Sequence, residues 1–364
     1  MLFFSHMTAI EKNKHDFLTL VRLGIGQDVE VFPTNINWDT IKDLSYKQGL
    51  VAVVIDGVER LPIEARPCKE ELLQWIGEVM LDETKYEKQK KTAVEMTTLF
   101  HSNHIKTFVL KGFVISECYP NPNHRVSMDM DCFLLPEKRE FNAWKRGNTI
   151  IKSNGFDVEE DFYKHSKFSL PGLIVENHQF MTAFRCNKRL KKMEAILQDM
   201  LKNEKNDGYL FNSKLLRPPI MVSALFIVEH AYTHFLNEGV SWRHILDWML
   251  FQKKHKLHID WAVFDYYISE FGLKKFYESY LRLGKYLLGE VAEDNLKQSD
   301  KAMLEDVWDD YDLVENDRDL RGKFALGLKL WRTRWKYQYF SEITAFHALW
   351  IYVIGYLFVK NPKL

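Results

Sequence analysis

The stretch LKGFVISECYPNPNHRVSMDMDCFLL, residues 110–135, decides the fold prediction. Its end, residues 128–135, first alternates polar with apolar residues and then becomes fully apolar, as a central β-strand does. Residues 107–110 predict a short buried strand that ends at Lys111-Gly112, and residues 113–119 fit a helix. The stretch therefore predicts the order strand, glycine turn, helix, strand.

Two aspartates lie on the second of these strands. Residues two apart on a strand point to the same face, so Asp129 and Asp131 present neighbouring carboxylates. Like charges in a half-buried strand repel each other unless a cation lies between them. Mg²⁺ or Mn²⁺ is the expected cation, because such hard ions prefer oxygen ligands. A D-x-D pair by itself also occurs in sugar transferases and on ordinary surfaces, so its neighbours matter.

A third carboxylate follows in a predicted hairpin. Residues 162–170 and 173–180 alternate and are joined by Pro171-Gly172, which is a hairpin signal. Glu176 lies within the apolar sequence LIVENHQF, where an acid is costly unless it has a partner or a task. We expect Glu176 to lie on a strand beside the two aspartates.

Two further features upstream suit a phosphate-containing ligand. Gly112 lets backbone amides approach a phosphate, and the N-terminus of the helix that follows favours anions. Arg125, four residues before Asp129, can neutralise a phosphate bidentately. These features favour phosphoryl or nucleotidyl transfer with metal help.

The rest of the chain predicts helices on both sides of this region. We expect an α+β fold: a small mixed sheet with helices in residues 93–185, an N-terminal helical region in residues 1–92 and a C-terminal helical domain in residues 186–364. Periodic apolar positions and punctuating Pro and Gly residues support the helices. No internal repeat or low-complexity linker interrupts them.

Charge and cysteine content restrict the function classes. Lys plus Arg and Asp plus Glu both number 50, so no global basic field is present and stable nucleic-acid binding is not expected. Four cysteines without a C-x-x-C motif indicate reduced thiols of a cytoplasmic protein. The N-terminus lacks the features of a signal peptide.

A C-terminal apolar segment raises the question of a membrane. Residues 345–359, AFHALWIYVIGYLFV, form an apolar run of 15 residues, whereas a spanning helix needs about 20. We expect no membrane span and a helix docked on the protein body. An interfacial membrane contact is the alternative, since aromatic and basic flanks suit headgroups.

A second polar constellation lies in VEHAYTHFLNEGVSWRHILDW, residues 228–248. His230 and His234 are i and i+4 on one helix face, which is also a zinc-like spacing. The alternatives are a polar network through His234 and an Arg243–Asp247 pair, or a wall of a ligand pocket. Residues that would line such a pocket are His178, His234, Arg243 and Asp247. His165 is expected to be structural.

The whole order of elements resembles the DNA polymerase beta-like nucleotidyltransferase superfamily, and more narrowly a bacterial family of uncharacterised nucleotidyltransferases. The matching motifs are LKG at 110–112, RVSMDMD at 125–131 and VENH at 175–178, and the resemblance extends over nearly the whole chain. Two positions depart from the pattern. Phe113 stands where Gly or Ser usually follows the turn glycine, and Met128 stands where Gly often precedes the first aspartate.

The resemblance implies a fold, a reaction and a set of roles. Asp129 and Asp131 would bridge two Mg²⁺ (or Mn²⁺) ions, and Glu176 would complete the site of one ion and accept the proton of the acceptor. The residues expected to contact or brace the triphosphate are Lys111, Gly112 and Arg125. NMP from an NTP would move onto an acceptor hydroxyl with release of pyrophosphate.

Other readings stay open at this point. The acceptor is a small molecule, a nucleic acid or a protein, and the sequence sets neither the acceptor, the NTP nor the oligomeric state. The Gly112-Phe113 turn favours the alternative of a catalytically degenerate nucleotide-binding scaffold or regulator. A sugar transferase is a more distant alternative, because no nucleotide-sugar domain is recognisable.

Overall fold

The computed structural model describes residues 8–138, 141–160, 163–182, 187–309 and 331–347. The chain has the predicted α+β architecture, with helices before and after a six-stranded mixed sheet. Predictions for Cys186 and for most of residues 345–359 lie outside the described residues.

Three helices open the described chain: α1 (Ala9–Gly24), α2 (Trp38–Lys47) and α3 (Val51–Glu59). Helices α1 and α3 approach closely because glycine lies at their crossing. A Cβ atom on Gly24 would lie 1.9 Å from the Val53 carbonyl oxygen, and one on Gly57 would lie 2.0 Å from that of Leu20. Any larger residue would push these backbones apart.

A long helix, α4 (Lys69–Ser102), leads from this region to the sheet. The boundary predicted between residues 92 and 93 falls inside α4, so the N-terminal region continues into the sheet-containing core without a linker. The sheet consists of β1 (Ile105–Val109), β2 (Asp129–Pro136), β3 (Val158–Glu159), β4 (His165–Leu170), β5 (Leu173–His178) and β6 (Leu215–Leu216).

The strand order is β3-β4-β5-β2-β1-β6. Strand β2 runs antiparallel to β1 and parallel to β5, and β4 and β5 form the hairpin predicted at Pro171-Gly172. Three helices connect the strands: α5 (Phe113–Ser116), α6 (Ala143–Ser153) and α7 (Lys188–Asn203). Central position in the sheet explains why the end of β2 is continuously apolar.

The C-terminal region contains α8 (Ile220–Asn237), α9 (Trp242–Lys254), α10 (Trp261–Glu270), α11 (Lys274–Leu287), α12 (Gln298–Trp308) and α13 (Arg334–Phe340). Helix α8 is apolar on nearly all sides, and most of its residues are buried. One side packs on the sheet, where the Phe226 ring lies 6.2 Å from the His178 ring. Arg22 of α1 donates to the Leu287 and Tyr286 carbonyls, so the first described helix packs against the end of α11. Within the described ranges, no helix combines the length and apolar character needed to cross a bilayer.

Candidate functional site

Three carboxylates share one face of two neighbouring strands. In the parallel pairing of β2 with β5, Asp131 is the register partner of Glu176, and Asp129 lies two residues earlier on β2. The prediction that Glu176 lies on a strand beside the aspartates is confirmed. The alternate residues Met130 and Cys132 are buried on the opposite face, and they anchor β2 in the core.

Two histidines extend this face across the hairpin. His165 on β4 pairs in register with His178 on β5. His178 Nε2 lies 2.9 Å from an oxygen of Asp131, and His165 Nδ1 lies 3.2 Å from an oxygen of Glu176. On its other side, His178 Nδ1 lies 3.0 Å from the Phe180 carbonyl oxygen, which assigns the Nδ1 proton to that bond. We name Asp129, Asp131, Glu176, His165 and His178 together the strand-face site.

The three carboxyl groups have unequal proton affinities. Burial, and then repulsion from Asp131, raise the pKa of Glu176 to about 7 and also raise the pKa of Asp129. Burial acts to raise the pKa of Asp131 too, but the hydrogen bond and charge of His178 outweigh it and leave that pKa below its usual range. Burial lowers the pKa of His165 to about 3. The site therefore holds more acid than its own histidines compensate.

Cationic side chains surround the strand-face site, and in the described part of the chain no lysine or arginine nitrogen forms an ion pair with its acids. Lys111, Lys167 and Arg243 all act to lower the pKa of Asp129. Lys164 is 6% exposed and its Nζ lies 6.0 Å from the Phe226 ring. Burial lowers the pKa of Lys111 to about 8, so its ammonium is still charged at neutral pH.

The predicted glycine turn has a conformation that glycine favours. Gly112 has φ 70° and ψ −106°, a region that side chains rarely adopt. A Cβ atom there would meet Ser127 Oγ at 3.5 Å and the Asp129 carbonyl oxygen at 3.6 Å. The turn thus packs against the start of β2. The helix after it, α5, has only four residues, so its dipole is too short to contribute as the sequence suggested.

Arg125 forms a different contact from the bidentate phosphate contact expected for it. Its Nε and Nη2 donate to the two oxygens of Asp247 at 2.7 Å each, and the Tyr119 hydroxyl donates to the same carboxylate at 2.8 Å. Arg125 is 2% exposed and Asp247 1%. Because Asp247 occupies the bidentate edge of the guanidinium, Arg125 braces the loop before β2 against α9. Arg243, the partner expected for Asp247, lies 4.0 Å away.

The helix histidines form a ring cluster next to this ion pair. His230 and His234 have ring centroids 4.4 Å apart, and His244 lies 5.5 Å from His234. His234 Nδ1 lies 2.9 Å from a Glu238 oxygen. His230 and His244 line a small cavity whose other members include Lys111, Ile227, Ala231, Asp247 and Tyr280. Helix α8, which carries His230 and His234, therefore lies across this cavity from Lys111.

His165 is the residue that sequence reasoning assigned to a structural role, although it lies in the site. The signal was available: in a hairpin closed by Pro171-Gly172, residues whose numbers sum to 343 face each other. His165 and His178 are such a pair, as are Lys167 and Glu176. The same hairpin register places Lys167 opposite Glu176, a position that the sequence analysis did not assign to the site.

Comparison with known proteins identifies the family to which the chain belongs. A family model described as an uncharacterised nucleotidyltransferase matches residues 34–289, which include the whole sheet and helices α2 to α11. Comparison with curated proteins and with solved structures gave no match. The glycine turn, the paired aspartates and the hairpin carboxylate all lie inside the matched residues. The chain belongs to this uncharacterised nucleotidyltransferase family.

Proposed function

We propose that this chain transfers NMP from an NTP onto an acceptor hydroxyl, with pyrophosphate as leaving group and with Mg²⁺ or Mn²⁺ held by Asp129, Asp131 and Glu176. One observation carries the proposal. Three carboxylates converge from adjacent strands, yet among the described residues no lysine or arginine nitrogen lies within ion-pair distance of Asp129 or Glu176. The proposal includes membership of the polymerase beta-like superfamily.

The donor set fits a hard divalent cation. All three groups supply carboxylate oxygens, which Mg²⁺ and Mn²⁺ prefer, and such ions bind through a few carboxylates plus substrate phosphates. The raised pKa values of Asp129 and Glu176 reflect burial and mutual repulsion. A bound cation would relieve that repulsion.

The chain's own residues would then bind, orient and accept a proton. Lys111 and Arg243 would neutralise the triphosphate, and Lys167 would do so from the exposed edge of the hairpin. Glu176, the carboxylate that β5 places beside the aspartates, would take the proton of the acceptor hydroxyl. Divalent cations at this position would supply charge stabilisation at the α-phosphate and at the departing pyrophosphate. Arg125 would hold the loop before β2 in place.

The degenerate-scaffold alternative rests on the Gly112-Phe113 turn. Phe113 is buried between Tyr86 and Phe211, with ring centroids at 5.5 and 5.1 Å, so its position in the turn offers no hydroxyl. Ser127 Oγ lies next to Gly112, however, and donates to the Asp129 carbonyl. A hydroxyl therefore remains beside the turn, and all three carboxylates are retained, which favours the enzyme.

The reaction also suggests a compartment and a set of partners. NTP is the substrate on this proposal, and the chemistry fits the cytoplasm of a bacterial cell, where NTPs and reduced thiols are both abundant. The equal numbers of acidic and basic residues favour a compact acceptor over long nucleic acid.

The test is incubation of purified protein with each of four α-labelled NTPs, Mg²⁺ and cell extract. Wild type should transfer label to an acceptor, and Asp129→Asn should reduce transfer by at least about 10³-fold, since loss of a metal ligand removes several kcal/mol of transition-state stabilisation. Asp294→Asn, at an exposed site away from the sheet, is the matched control. Metal-dependent NTP binding without any transfer would support the scaffold instead.

A further inference from the structure

A second group of candidate metal ligands overlaps the three carboxylates at Glu176. Ligand atoms of His165, Glu176 and His178 all lie within 4.8 Å of one another. We propose that these three residues bind one divalent transition-metal ion, with Zn²⁺ as the candidate that the ligand set fits, in a site centred on the two histidines and not on the aspartate pair. The proposal shares Glu176 with the proposed function but does not depend on nucleotidyl transfer.

The spacing of the donor atoms suits such an ion. Zn–N and Zn–O bonds of about 2.0–2.2 Å in a tetrahedron place neighbouring ligand atoms roughly 3.3–3.5 Å apart. Glu176 Oε2 lies 3.2 Å from His165 Nδ1 and 3.8 Å from His178 Nε2. These two distances are close to the tetrahedral spacing, and an approach of the two histidine nitrogens, which lie within 4.8 Å of each other, would complete three of the four ligand positions.

The orientation of His178 supports a lone pair directed into the site. The Phe180 carbonyl lies 3.0 Å from Nδ1, and such a bond from the second ring nitrogen is the usual support of a metal-bound histidine. In the neutral ring, Nε2 then carries the lone pair and faces the oxygens of Asp131 and Glu176 at 2.9 and 3.8 Å. A proton or a metal ion has to separate these acceptors.

Ligand chemistry separates this position from the aspartate pair. Imidazole nitrogen favours Zn²⁺ and other later transition metals over Mg²⁺, whereas carboxylate oxygen favours Mg²⁺ and Mn²⁺. Asp129 lies two residues before Asp131 on the same face of β2, where its register partner is Ile174 and not Glu176. The fourth position of the proposed ion is open to water or to Asp131, whose oxygen already lies 2.9 Å from His178 Nε2.

The experiment uses the full chain stripped with chelator and then dialysed against Zn²⁺ alone or Mg²⁺ alone, with bound metal counted by elemental analysis. We expect one Zn²⁺ per chain in wild type, in Asp129→Asn and in the exposed-histidine control His258→Gln. Zn²⁺ affinity should fall at least about 100-fold in His165→Gln and in Glu176→Gln. Circular dichroism and thermal unfolding of each variant keep loss of metal separate from loss of fold.

Three outcomes would overturn the inference, and a fourth would overturn only the proposed function. Zn²⁺ bound equally well by wild type and a folded His165→Gln would place the metal elsewhere. Zn²⁺ lost in Asp129→Asn but kept in His165→Gln would assign it to the carboxylates, and the proposed function would stand without the second site. Absence of stoichiometric Zn²⁺ in wild type would leave His178 and His165 as proton-linked partners of the acids. Failure of nucleotide transfer with Zn²⁺ binding intact would overturn only the proposed function.

Discussion

The charge of Asp247 and the charges of the strand-face acids are neutralised differently. Asp247 has a complete set of internal partners: Arg125 at 2.7 Å through two nitrogens and the Tyr119 hydroxyl at 2.8 Å. Although burial acts to raise the pKa of Asp247, Arg125 outweighs it and lowers that pKa. Among the residues that the structure describes, no arginine pairs in this way with Glu176 or Asp129, and the pKa values of both are raised.

The difference separates structure from chemistry. The charge of a buried carboxylate is already neutralised when an arginine binds it bidentately, and such a pair holds two elements of the fold together. Carboxylates that repel one another on one strand face are not neutralised by the protein in this way, and a bound external cation can neutralise them. By this criterion the Arg125–Asp247 pair holds the β2 loop to α9, while the strand-face site is where a metal and its substrate would bind.

Breaking the ion pair should have the largest effect on stability. Arg125→Met leaves Asp247 buried without its main partner, and removal of one member of such a pair costs about 3–5 kcal/mol. Denaturant unfolding of the variant should detect this loss. Lys167→Met removes an exposed cation and should change the unfolding free energy by less than about 0.5 kcal/mol.

The comparison would fail if both substitutions cost the same. An Arg125→Met variant with wild-type stability would mean that Asp247 is solvated or protonated in the folded chain. Arg125 would then be available to a ligand, as its position before the aspartates first suggested.

Sequence alone identified the strand-face acids because local patterns govern them. The two-residue period places Asp129 and Asp131 on one face, and the Pro171-Gly172 turn fixes the hairpin that carries Glu176. The partner of Arg125 is 122 residues away on α9, and no local pattern encodes such a contact. The packing of α5 against α9 brings Asp247 to the Arg125 guanidinium. The sequence therefore could not show that Asp247 occupies the edge predicted to bind a phosphate.

The acids of the strand-face site should make stability depend on pH when metal is absent. Folded chain keeps a proton on Glu176 up to about pH 7, whereas the unfolded chain releases it near the ordinary value of 4.5. Folded protein therefore keeps this proton between these values, and Glu176 makes the unfolding free energy fall as pH rises. The buried histidines, whose pKa values burial lowers from 6.5, act in the opposite direction only below about pH 6.5. Chelator-treated protein unfolded at pH 6.5 to 8, compared with Glu176→Gln, therefore measures the slope due to Glu176.

Divalent metal should reverse this loss, since it replaces the proton. At a Mg²⁺ concentration about 100 times its Kd, wild type should gain about 2.7 kcal/mol at pH 8. Glu176→Gln should flatten the slope and weaken the gain, whereas the exposed control Glu305→Gln should keep both. A wild-type slope that is flat with chelator and unchanged by Mg²⁺ would contradict the cation demand inferred for these acids.

Lys111 lies between the two regions, and its substitution should have the smallest effect. Asp131 and Asp247 both act to raise its pKa, but burial outweighs them and lowers it to about 8. Removal of a cation that is costly to bury should change stability by less than about 1 kcal/mol. If its task is a phosphate, Lys111→Met should instead raise the Kd for Mg·NTP about 5- to 10-fold, or about 1–1.4 kcal/mol. Equilibrium dialysis at pH 7 measures this, with Lys106→Met, exposed on the preceding strand, as control.

The wild-type affinity for Mg·NTP should weaken between pH 7 and 9 as Lys111 loses its proton, and the Lys111→Met variant should lack that step. Equal affinities in both variants, or a destabilised Lys111→Met with unchanged Kd, would assign Lys111 to the Asp247 ion-pair region.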